Sequence, residues 1–142
     1  MQTIKQLLEN KGHDIYSVSP ETPVYDTIAL MAEKGVGALL VLDGGELAGV
    51  VSERDYARKV ILKGRSSRET LTRDIMTAEV ITARSDHTVD HCLAVMTAHK
   101  IRHLPVVDDG QLSGVLSIGD LVKSVIEDQR QHIESLEQYI HS

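Results

Sequence analysis

At 142 residues, 42% hydrophobic and 25% charged, the chain has the composition of one soluble domain or of two small interlocked halves, and with no Trp and no Phe its core must be aliphatic. A net charge of −6 speaks against a nucleic-acid partner, which needs a clustered basic face; the one basic cluster, Lys59, Lys63, Arg65, Arg68 and Arg73, is local. Cys92 is the only cysteine, so no intrachain disulfide forms; with no signal-peptide core near Met1 and no apolar run approaching roughly 18 residues, a cytoplasmic chain without a membrane partner is expected.

Thr3 can cap a short helix carrying Ile4, Leu7 and Leu8 on one face and ending at Gly12, an N-terminal helix over residues 1–12. Asp14 to Ser19 reads as a short extended piece, stopped by Ser19-Pro20-Glu21-Thr22-Pro23. Val24, Ile28, Met31 and Ala32 share a face of a helix that ends at Gly35. The apolar runs Ala38–Leu42 and Leu47–Val51 flank Asp43-Gly44-Gly45-Glu46, which marks a hairpin, and helical period returns from Arg54 to about Ile61. Residues 62–78 read as a connector with a helical turn near Arg73–Met76. A strand at Val80-Ile81-Thr82, a turn at Arg84-Ser85-Asp86, a helix from Val89 to His99, a hairpin across Asp108-Asp109-Gly110-Gln111 and a helix from about Asp120 complete the pattern.

The second half repeats the first at an offset of about 65 residues. Gly49-Val50-Val51-Ser52-Glu53-Arg54-Asp55 returns as Gly114-Val115-Leu116-Ser117-Ile118-Gly119-Asp120, and the pairs Val24/Val89, Met31/Met96, Leu39/Leu104 and Val41/Val106 keep the same register. Each copy reads β-α-β-β-α, over 13–61 and 79–126, so the fold class is α/β: two pseudo-twofold repeats sharing a core, with a C-terminal helical extension over 127–142. In that extension Ile126, Gln129, Ile133, Leu136 and Ile140 follow a 3-4 spacing, a seam that either folds back on the chain or pairs with a second copy; a homodimer is expected.

The Leu104-Pro105-Val106-Val107-Asp108 run followed by Gly114-Val115-Leu116-Ser117-Ile118-Gly119-Asp120 resembles the cystathionine β-synthase (CBS) domain, and the tandem resembles a CBS pair, over nearly all of positions 13–126. The first copy departs from the pattern at Leu40, where the proline would stand. The resemblance implies a stand-alone, non-catalytic regulatory module whose clefts between repeats bind adenosine-containing ligands, AMP or NAD(H) first, with ATP or S-adenosylmethionine behind them. Carried over by position, one cleft draws on Tyr16, Val36, Gly37, Ala38, Ser117, Gly119 and Asp120. The other draws on Ser52, Arg54, Asp55, Ile81, Ile101, Arg102 and His103. The residue chemistry agrees: a carboxylate accepts two hydrogen bonds from a vicinal diol, and helix N-terminal N–H groups with a nearby cation favour a phosphate. Lys59, Lys63 or Arg65 can extend a site toward a second phosphate.

The plainer reading of each Ser-x-x-Asp is a helix cap, and the plainer reading of the whole is a ligand-free structural module that dimerises through its last helix. His87, His91, His99 and His103 come with no His-Glu-x-x-His and no cysteine pair, so no metal site is expected. His91 and Cys92 are adjacent on a helix and point about 100° apart, which argues against a nucleophile and base; no catalytic residue is expected, and Cys92 aligns with Thr27 as a packing position.

Overall fold

The computed structural model describes residues 2–141; Met1 and Ser142, at the ends of the expected terminal segments, lie outside the described residues. In chain order the elements are α1 (Ile4–Lys11), β1 (Ser17–Val18), α2 (Val24–Lys34), β2 (Ala38–Asp43), β3 (Glu46–Ser52) and α3 (Glu53–Tyr56), which widens into a π turn over Ala57–Ile61. A 3-10 turn at Thr72–Asp74 follows, then α4 (Val89–His99), β4 (His103–Asp108), β5 (Gln111–Ser117) and α5 (Ile118–His141). They form two compact units, one of residues 15–80 and one joining the residues up to Asp14 with those from Ile81 onward.

In the first unit β1 runs parallel to β2, with Ser17 opposite Leu40 and Val18 opposite Val41, and β2 is antiparallel to β3. The hairpin turn has Gly44 at φ 59° and Gly45 at φ 89°, the left-handed pair whose twist matches that of the strands it joins. In the second unit β4 and β5 form the same hairpin, with Asp109 at φ 51° and Gly110 at φ 77°. Both hairpins carry a register shift at the same place, after Val41 and after Val106. The strand expected at Val80-Ile81-Thr82 does not form. A single bridge at Ala83 replaces it, parallel to Val106, through Ala83 N–H to Pro105 O at 2.8 Å and Val107 N–H to Ala83 O at 2.8 Å. A turn begins at once after it: Arg84 N–H donates to His87 Nδ1 and Ser85 N–H to Asp108.

Each unit has its own apolar cluster. Val24, Met31, Leu39, Val41 and Val51 centre the first, and Val89, Cys92, Met96, Leu104 and Leu116 centre the second. The aligned pair Thr27 and Cys92 shows how one position serves both. Buried Thr27 bonds Thr72 Oγ1 at 2.7 Å, and that hydroxyl donates to Thr22 O at 2.7 Å, so the polar atoms are satisfied. Cys92 is fully buried among apolar neighbours, and burial pushes its thiol up to about 11, which keeps it protonated and unreactive at neutral pH.

The segment that leads each copy in sequence packs in the unit that holds the other copy. α1 leads the first copy, yet Ile4, Leu7 and Leu8 belong to the apolar cluster of the second unit. Part of the expected connector likewise packs in: Ile75 is fully buried in the first unit, and Thr77 exchanges backbone hydrogen bonds with Val50 at 2.9 and 3.0 Å. A glycine admits each segment. A Cβ on Gly114 would lie 2.9 Å from Leu8 Cδ2, and one on Gly49 would lie 2.7 Å from Met76 Sδ and 2.9 Å from the Thr77 carbonyl oxygen.

Backbone cannot turn aside as a leucine side chain can, so Gly49→Ala is expected to cost about 1–3 kcal/mol and Gly114→Ala clearly less, compared by urea denaturation. Equal losses at the two positions would contradict the distinction.

Candidate functional site

In each unit the helix after the last strand opens on a reciprocal cap. Ser117 N–H donates to Asp120 Oδ2 at 2.8 Å, and Asp120 N–H donates to Ser117 Oγ at 3.1 Å. Ser52 N–H and Oγ–H donate to Asp55 Oδ2 at 2.9 and 3.0 Å, and Asp55 N–H returns to Ser52 Oγ at 3.2 Å. The plainer reading of Ser-x-x-Asp is thus real structure, since both motifs are capping boxes.

A cap does not account for the lysine that each aspartate also carries. Lys11 Nζ lies 2.8 Å from Asp120 Oδ2 and donates to Val115 O at 2.6 Å. Lys59 Nζ lies 3.4 Å from Asp55 Oδ1 and donates to Ile75 O at 2.9 Å. The two lysines come from unrelated places, one at the end of α1 and one a turn along the same helix as its aspartate. Burial pushes the Asp120 carboxyl up, but the Lys11 ammonium and the Ser117 N–H outweigh it and hold the group below the usual carboxylate range. Asp120 also lines an open groove of about 840 Å³ between α1 and α5, together with Gln6, Asn10, Lys11, Lys123 and Glu127.

Each of the two predicted residue sets draws on both units. Within the first unit, the structure places Val36, Gly37 and Ala38 beside the first Ser-x-x-Asp: Glu53 N–H donates to Gly37 O at 3.0 Å, and Ala38 is paired with Ser52. Tyr16 O accepts from Leu40 N–H in that unit, and Lys34 Nζ stands 5.2 Å from the Tyr16 ring centre. Within the second unit, Ile101, Arg102 and His103 flank Ser117, Gly119 and Asp120, with Ile118 N–H donating to Arg102 O at 2.8 Å and His103 paired with Ser117. Ile81 and Ile101 pack against the apolar cluster, while Arg54 and Arg102 are exposed. Gly119 leaves open space: a Cβ there would meet only Ser117 Oγ, at 3.6 Å.

Lys11 escaped the sequence reading because nothing local ties it to a carboxylate more than a hundred residues away. Lys59 did carry a signal, its i, i+4 spacing from Asp55. Among the histidines, the His87 and His91 rings meet at 4.3 Å between centres, tilted by 50°, and among the described residues no group of three or more His, Cys, Asp or Glu is placed to hold a metal ion. No helix among the described residues is long and apolar enough to cross a membrane.

Two hairpin-centred α/β units, each ending in a Ser-x-x-Asp helix mouth, define a tandem-repeat module. The CBS domain model matches residues 6–62 and again 73–127, and the chain belongs to the CBS-domain family. It is 39% identical to the mitochondrial CBS domain-containing protein CBSX3 of Arabidopsis thaliana, over 97% of this chain and 71% of that protein. Among solved structures, a protein with CBS domains from Burkholderia ambifaria MC40-6 is 55% identical and superposes with a TM-score of 0.87, covering 90% of this chain and 96% of the other. The fold is also that of the CBS domain pair of protein MJ0100 in complex with 5′-methylthioadenosine and S-adenosylmethionine, at 23% identity and a TM-score of 0.80, over 90% and 98% of the two chains.

Removing the ammonium by Lys11→Met is expected to cost about 1 kcal/mol at pH 7, a surface-pair value for two half-exposed groups. The folded carboxyl of Asp120 lies below its unfolded value near 3.9, so the contribution is present above that pH and is lost as pH falls through the folded value. Melts of wild type and variant should therefore differ at pH 7 and converge in acid; a gap that persists at low pH would rule out the ion pair as its source.

Proposed function

We infer that this chain is a non-catalytic regulatory module that binds an adenosine-containing ligand at its Ser-x-x-Asp helix mouths and reports occupancy by a change of conformation. The observation that carries the reading is the carboxylate with its lysine at the start of α5. Asp120 is kept charged, as acceptance from a ribose diol requires, and Lys11 beside it supplies a cation suited to a phosphate. Asp55 and Lys59 repeat the arrangement in the other unit. The MJ0100 pair, with its two adenosyl ligands, supports the ligand class. The lysines favour the anionic members of that class, AMP, NAD(H) and ATP, over the sulfonium cation of S-adenosylmethionine. A ligand-free interaction module is the second reading, favoured by the uncovered second half of α5.

Thermal unfolding with AMP, ADP, ATP, NAD, NADH and S-adenosylmethionine separates them. A ligand that binds only the folded state adds about 2.7 kcal/mol at a hundredfold excess over Kd. AMP or NADH should raise the midpoint, and one of Asp120→Asn and Asp55→Asn, the one at the occupied mouth, should remove the rise while leaving the unliganded protein folded, since asparagine retains an acceptor for the cap. No rise with any of the six at millimolar concentration would sink the ligand reading in favour of the second.

A further inference from the structure

The two helix mouths share a serine and an aspartate but not the bonds these make. A ribose diol brings two O–H donors, which need a carboxylate oxygen open to accept them. At Asp55 both oxygens are engaged: Oδ2 takes the Ser52 N–H at 2.9 Å and the Ser52 hydroxyl at 3.0 Å, while Oδ1 faces the Lys59 ammonium at 3.4 Å. At Asp120 the Ser117 N–H and the Lys11 ammonium both reach Oδ2, at 2.8 Å each, and among the described residues no hydrogen bond reaches Oδ1. A hydroxyl arriving at Asp120 Oδ1 displaces no protein group; one arriving at Asp55 must part the carboxylate from its cap or from its lysine.

The approach to the two carboxylates differs in the same sense. The residue before the aspartate is Arg54 at the first mouth and Gly119 at the second, where a Cβ would meet only Ser117 Oγ, at 3.6 Å. Asp120 and Lys11 also line one groove of about 840 Å³, so a molecule bound there reaches both. The Lys11 ammonium has three N–H donors. Asp120 Oδ2 and the Val115 carbonyl oxygen, at 2.6 Å, hold two of them, and the third remains for a phosphate oxygen. We propose that the mouths are inequivalent: the ligand is taken first at Asp120, and Lys11 makes a phosphate a condition of tight binding there. This ranking rests on the adenosine reading of both mouths.

Titration calorimetry of the full chain with AMP and with adenosine tests it. One tight AMP site per chain is expected. Asp120→Asn should weaken that site about tenfold or more, the loss of a charge-assisted hydrogen bond, with the unliganded protein still melting cooperatively because asparagine keeps an acceptor for the Ser117 N–H. Lys11→Met should weaken AMP by a similar factor and adenosine far less, and Lys11→Arg, which keeps the charge, should retain the preference for AMP. A purely structural Lys11 would lower both ligands alike, and an AMP-to-adenosine ratio unmoved by Lys11→Met overturns the phosphate selection. Two AMP sites of equal affinity, or a tight site kept by Asp120→Asn and removed by Asp55→Asn, overturns the ranking while the adenosine reading stands. No heat with AMP, together with no midpoint shift for any of the six ligands, overturns the adenosine reading and the ranking with it.

Discussion

The contact on which the rest of the structure depends is that of a large apolar side chain seated on a bare glycine: Leu8 on Gly114 and Met76 on Gly49. Each glycine stands in the last strand of its hairpin, opposite Val106 or Val41, at the residue before the register shift. Without a Cβ there, the leading segment approaches until its side chains enter the apolar cluster. The consequence is topological. Because each leading segment seats in the unit of the other copy, the repeat read along the chain and the compact unit read in space are out of phase by one segment: the first unit is the stretch 15–80, and the second joins the residues up to Asp14 with those from Ile81 onward.

That exchange also sets the electrostatics of the second helix mouth. With Leu7 and Leu8 in the cluster, the last turn of α1 brings Lys11 onto Asp120 and the Val115 carbonyl oxygen. In the first unit the leading segment is a 3-10 turn whose cation, Arg73, pairs with Glu21; it offers the Ile75 carbonyl oxygen, to which Lys59 reaches from the next turn of the helix that holds Asp55. Two routes thus arrive at one arrangement, a capping carboxylate and an ammonium anchored by a backbone oxygen. A cap requires only the serine and the aspartate, so the recurring lysine is the feature on which the proposal of a binding mouth rests.

The parts of the fold that rest on neighbours in sequence were legible in it. Asp43-Gly44-Gly45-Glu46 and Asp108-Asp109-Gly110-Gln111 announce hairpin turns because glycine and aspartate tolerate positive φ, and the serine and aspartate of each helix mouth are three residues apart by local geometry. What rests on remote partners was not. Residues 62–78 lack strong periodicity and read as a connector, yet Ile75 and Met76 pack in the first unit because Gly49 makes room. At Val80-Ile81-Thr82 the apolar run marked a strand, but only the next residue, Ala83, pairs, and the turn that follows it is held from across the unit by Asp108. Thr27 and Cys92 align in sequence but are served by different partners, a hydroxyl pair in one case and aliphatic neighbours in the other.

α5 carries the second helix mouth at the start of a long helix. Its first turn holds Asp120, and its uncovered seam runs on to Ile140 within the same 24-residue helix, a rod of about 36 Å at 1.5 Å per residue. A rigid helix carries a tilt or rotation of its first turn undiminished to its far end. A ligand that pulled Asp120 away from Lys11 would therefore be felt along the whole helix, and by linkage anything bound at its far end would act on ligand affinity by the same factor. The sign follows from the ion pair: if the bound ribose and Lys11 compete for Asp120 Oδ2, binding loosens α1 from the helix mouth; if Lys11 moves to the phosphate and keeps the carboxylate, binding tightens it. Only an interaction that differs between the two states can shift their balance, and Lys11 is the described group that touches both the carboxylate and the leading helix.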